Sequence, residues 1–125
     1  MEIKERLANI QYKRLYIESL KATLEHDREL IKLFPKHLAE LEKEDLKQIE
    51  QAEADLQADI DLINNLDDEL QRKALIERYY NGFSWDKVAD TLGYSRKYLY
   101  KIHKQALEQL ASMFLWQWKI VRAIM

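Results

Sequence analysis

The run Phe83-Ser-Trp-Asp-Lys-Val-Ala-Asp-Thr-Leu-Gly-Tyr-Ser-Arg-Lys-Tyr-Leu-Tyr-Lys-Ile102 constrains the fold of this chain more than any other stretch. Serines 84 and 95 each stand where a side-chain oxygen can cap the start of a helix. Gly93, one of only two glycines in the chain, falls between them, where a tight turn needs positive φ. Ala89 is small where the second helix must cross the first closely. Val88, Leu92, Leu99 and Ile102 supply an inner apolar surface. The other side of the second helix carries Arg96, Lys97, Tyr100, Lys101 and Lys104. This spacing predicts two short helices around a tight turn, the second of them of the kind that enters a DNA major groove.

The rest of the sequence points to an all-α chain. There are 125 residues, 34% charged, with a single proline and no convincing alternating segment. Aliphatic residues recur every seventh position at Ile3, Ile10, Ile17, Leu24 and Ile31, with Leu7 and Leu20 widening the stripe. Arg14, Lys21 and Arg28 repeat at the same period. Pro35 ends this first helix. A second helix over roughly 36–66 has its stripe at Leu46, Ile49, Leu56, Ile60 and Ile63. An antiparallel hairpin, or a coiled coil, about 45–50 Å long is the simplest arrangement. Two helices running on end to end are the alternative. Asn64-Asn65-Leu66-Asp67-Asp68 breaks the pattern. It places a boundary between a helical region, 1–66, and a domain over 67–125, whose third helix spans about 67–80 and stops at Gly82.

Charge is segregated. Residues 1–35 carry a net +1, residues 36–70 a net −9 and residues 71–125 a net +6, so a polyanion partner belongs to the last third. The chain has no cysteine, which excludes disulfides and is consistent with a reducing cytoplasm. The start MEIKERLANI lacks the apolar core of a signal peptide, and no uninterrupted 18-residue apolar stretch exists.

The stretch Arg72–Leu110 resembles region 4 of bacterial sigma factors. The shared features are Ile76-Glu-Arg-Tyr-Tyr80, then Trp85-Asp-Lys-Val-Ala89, Gly93-Tyr-Ser-Arg96 and Gln105-Ala-Leu107. Nothing in the remainder is similar to the sigma segment that melts the −10 element. The whole layout resembles small phage-encoded regulators of the ArpU/RinA kind, which join an amino-terminal coiled-coil region to such a module. The resemblance implies transcription regulation in a phage or prophage. It places Ser95, Arg96, Lys97, Tyr100 and Lys101 where sigma recognition helices meet DNA. Tyr100 replaces an arginine common there and suits a thymine methyl or a phosphate. Lys87, Arg78 and Lys104 are expected at phosphates, with Ser84 at the edge of the same surface. Tyr98 is expected to pack.

The expected partner is double-stranded DNA, read by a sequence-specific regulator acting as a homodimer, with RNA polymerase as a further partner. A module that binds protein, acting on polymerase or another regulator, is one alternative. A phage DNA-packaging small subunit is another. The apolar tail holds Phe114, Leu115, Trp116, Trp118 and Val121, which are expected to pack on the chain itself or at a dimer interface rather than on a membrane. His26, His37 and His103 lack ligand spacing, and the acidic cluster 40–69, which includes Asp55, Asp59 and Asp61, reads as a solvated helix face. Neither suggests a metal. No phosphate loop or nucleophile motif is present, so neither an enzyme nor a cofactor is expected.

Overall fold

The structure, a computed structural model, describes residues 2–124 apart from the side chains of 116–121. The described residues form helices and no strand. These are α1 (Ile3–Ala8), α2 (Ile10–Leu33), α3 (Pro35–Asn64), α4 (Glu69–Leu75), α5 (Trp85–Leu92) and α6 (Arg96–Ile124), with a π-helical turn over Ile76–Tyr80 following α4. The all-α expectation holds.

Asn9 divides the expected first helix in two. It ends α1, its amide bonding to Glu5 O at 3.1 Å, as suits a residue whose side chain competes with helical hydrogen bonds. Only Phe34 separates α2 from α3. Pro35 is the first residue of α3, where its missing N–H has no helical partner to lose.

The chain divides into two compact units, one made of Met1–Gln11 with Asp59–Met125, the other of Tyr12–Ala58. This division differs from the 66/67 boundary read from the sequence. The reason lies in the packing of the ends. Leu7, Ile10, Ile63 and Leu66 are fully buried, and Arg6 Nε meets Asp59 Oδ1 at 2.6 Å.

Within Tyr12–Ala58, Lys13 pairs with Asp55 at 3.2 Å, Lys21 with Glu53 at 3.2 Å and Arg28 with Glu42 at 3.0 Å. Partner numbers fall along α3 as they rise along α2, so these segments run antiparallel. Ile17, Leu24 and Ile49 are buried between them. Leu46, expected in the stripe, is 44% exposed instead. The buried positions are Asp45 and Ile49, four apart, and a helix turns the intervening Leu46 away from that face. Asp45 is buried, which corrects the expectation of a wholly solvated acidic face on the second helix, and Asp27 of α2 is buried as well. Asp59 corrects it again in the other unit.

In that other unit, α6 packs against α1, α4 and α5. One core cluster there is Ala74, Val88, Leu99 and Ile102, edged by Leu70, Phe83, Trp85, Ala89 and Leu92. Burying an aliphatic side chain of this kind contributes about 1.5–3 kcal/mol. Asp68 caps α4 by accepting from Gln71 N at 2.9 Å. The helix then widens. Asn81 N reaches back five residues to Ile76 O at 2.9 Å, and Gly82 turns the chain at φ 71°. Widened helical turns of this sort leave carbonyls needing partners. Here the Gln11 amide donates to Tyr79 O at 2.7 Å and to Tyr80 O at 2.5 Å.

Candidate nucleic-acid interface

Helices α5 and α6 are built by local chemistry. The Ser84 hydroxyl accepts from Lys87 N at 3.2 Å, and the Ser95 hydroxyl accepts from Tyr98 N at 3.1 Å. Both serines proposed as DNA contacts therefore also cap helices, each keeping its hydroxyl proton for another acceptor. Gly93 ends α5 at φ 78°, with its N–H bonded to Ala89 O at 2.9 Å. A side chain there would meet no atom, so the backbone angle alone asks for glycine.

Along α6 the sequence divides into two faces. Leu99, Ile102, Ala106 and Leu110 are buried. Arg96, Lys97, Tyr100, Lys101 and Lys104 are exposed and recur at intervals of three and four, which gathers them on the opposite face. Lys87 is exposed on α5, with its ammonium 4.0 Å from the centre of the Phe83 ring. Arg78 stands apart from these. It is half-buried, donates from Nη1 to Phe83 O at 2.9 Å and lies 5.4 Å from the Trp85 ring. That guanidinium holds the loop entering α5 and is more buried than the α6 cations.

Trp85 organises the surface from beneath. The Tyr100 ring meets it edge-on at 5.4 Å and the His103 ring at 4.8 Å. His103 Nε2 is hydrogen-bonded to the Tyr79 hydroxyl at 2.6 Å. Burial, reinforced by the charges of Lys4 and Arg78, pushes the His103 imidazole down to about 4, so it is neutral at pH 7. Burial likewise raises the Tyr79 phenol. Tyr98 stacks on Tyr94 at 5.3 Å, and both rings stay exposed.

Sequence reasoning missed Asp86. Its Oδ1 lies 3.1 Å from Arg96 Nη1, and Arg96 Nη2 donates to the Tyr100 hydroxyl at 2.7 Å. The only signal available was a carboxylate early in the first helix of a motif whose second helix begins with arginine.

In the tail, Phe114 is half-buried and Leu115 is 60% exposed. They line a shallow apolar groove with Ile3, Leu107 and Ala111. The side chains of Trp116, Trp118 and Val121 lie outside the described residues. Among the described residues, no group of three or more His, Cys, Asp or Glu could hold a metal, and no helix is long and apolar enough to cross a membrane. The chain matches no protein-family model, no curated protein and no solved structure.

Proposed function

We propose that this chain is a sequence-specific DNA-binding transcriptional regulator. In this reading a helical hairpin precedes a helix-turn-helix, and the first turns of α6 enter the major groove. One observation carries it: Arg96, Lys97, Tyr100, Lys101 and Lys104 are exposed on one face of α6, directly opposite the buried Leu99, Ile102 and Ala106. A helix anchored on one side and cationic on the other fits the groove, where Arg reads guanine and Lys holds phosphates. The resemblance to phage regulators extends the proposal to a phage or prophage origin, a cytoplasmic setting, a homodimer and RNA polymerase as a further partner. A dimer would read half-sites about 34 Å apart or a multiple of that.

Selection of bound duplexes from a random pool tests the proposal. The expected result is a motif with two-fold symmetry, lost in the Arg96→Ala/Lys97→Ala double variant while its helical circular dichroism persists. Binding that is weak, steeply salt-sensitive and without sequence preference would sink it.

A second reading draws on α2, whose Tyr12, Leu15 and Tyr16 are all exposed at helical spacing. Such a face suits protein contact, and the module would then act on polymerase or on another regulator. A DNA-packaging small subunit is separated from both by mass, since it would assemble into a large ring.

A further inference from the structure

A carboxylate on a surface that meets DNA repels phosphates, so its presence there calls for a favourable partner, a cytosine amine or a neighbouring cation. Asp86 is exposed, lies within the α5–α6 surface and contacts Arg96. Two guanidinium nitrogens of Arg96 are thereby engaged, Nη1 by Asp86 and Nη2 by the Tyr100 hydroxyl, while its carbon lies 5.6 Å from the centre of the Tyr100 ring. Tyr100 is in turn fixed edge-on against Trp85, which the core of the α5–α6 pair holds. The arginine is thus bracketed from two elements, although its side chain is more than half exposed.

Resting on the DNA-binding reading above, we infer that Asp86 and Tyr100 are positioning residues that set base specificity by holding Arg96 in one orientation at the start of α6. An arginine has five N–H donors in a planar fork. With two of them spent on Asp86 and Tyr100, others remain to address a pair of acceptors on one base edge, in an orientation no longer free to drift. A long exposed side chain otherwise loses its rotamer freedom on binding, and preorganisation removes that cost. The pair adds little to folding, because both partners are largely solvated. Tyr100 then acts on DNA through Arg96, in place of the direct thymine or phosphate contact expected from the sequence.

The test measures the full-length chain and its variants on the duplex that it selects and on every single-base-pair variant of that duplex, at fixed salt. Asp86→Ala is expected to relax discrimination about fivefold at one base pair, the same one that Arg96→Ala relaxes, and nowhere else. The double variant should be no less selective than Arg96→Ala alone, as for two residues acting through one contact. Tyr100→Phe should move the same position by less, and Asp86→Asn, which keeps an oxygen acceptor, should recover part of the loss. If the parent chain is selective and Arg96→Ala relaxes one position while Asp86→Ala relaxes none, the positioning role is overturned and the DNA reading stands. An equal loss at all positions with a lowered melting temperature also overturns it, since that marks a merely structural residue. A parent chain that selects no sequence overturns both.

Discussion

The two compact units bury acid side chains in opposite ways. In the unit made of Met1–Gln11 and Asp59–Met125, Asp59 is 1% exposed and answered by a guanidinium at 2.6 Å. In Tyr12–Ala58, Asp27 and Asp45 are both buried on the same seam, and Asp45 Oδ2 has no hydrogen-bond partner. The first arrangement compensates a buried charge. The second places two acids where heptad spacing calls for aliphatics, among only Ile17, Leu24 and Ile49. A periodic stripe fixes which face is buried, but the side chains at its polar positions decide how much stability that burial yields.

The largest expected effect follows from Asp59. Arg6→Ala leaves a buried carboxylate without its guanidinium and should cost about 3 kcal/mol in urea unfolding. A loss below about 1 kcal/mol would mean that Asp59 is satisfied by its other neighbours, and the contrast between the units would weaken.

Much of the fold was legible because it rests on local chemistry. Ser84, Gly93 and Ser95 act within a few residues of themselves, and Val88, Leu99 and Ile102 follow helical spacing into the core. What was not legible depends on partners remote in sequence. Asp59 looks solvated in a segment of net −9 until Arg6, 53 residues away, is seen beside it. The same holds for the Gln11 amide on the Tyr79 and Tyr80 carbonyls, which no spacing rule foretells. The exposed cations of α6 were legible as a face, whereas the Asp86–Arg96–Tyr100 geometry needed the crossing of α5 and α6 to be known.

Acidification should separate the units by sign. A hydrogen bond with Asp27, then burial, then the charges of Asp27 and Glu44 raise the Asp45 carboxyl from 3.8 to about 6. Between those values the folded state binds a proton that the unfolded chain does not. Its contribution to Tyr12–Ala58 is therefore full below pH 3.8 and is lost as pH rises through about 6. His103 does the reverse. Its imidazole falls from 6.5 to about 4 on folding, so its contribution is full above 6.5 and is lost as pH falls toward 4. All three tryptophans lie in residues 59–125, so their fluorescence follows that unit, while amide exchange at Ile17 and Leu24 follows the other. From pH 7 to pH 4.5, His103→Phe should flatten the fall in the first signal, and Asp45→Leu should flatten the rise in the second. At pH 7, Asp45→Leu should also stabilise Tyr12–Ala58 by about 1 kcal/mol. Parallel pH responses in the two signals would refute the contrast.

The smallest effect is expected at an exposed ion pair along α2 and α3. Lys21 and Glu53 are each about half exposed at 3.2 Å, so water screens their attraction and both side chains give up rotamer freedom to meet. Lys21→Ala should cost about 0.3 kcal/mol, a difference that vanishes in 1 M salt. The measurement is amide exchange within Tyr12–Ala58 at low and high salt. A loss near that of Arg6→Ala, or one indifferent to salt, would show that this unit is held by its charged edges rather than by its thin apolar seam. The two units would then differ in the kind of interaction that holds them, and not only in how they treat a buried acid.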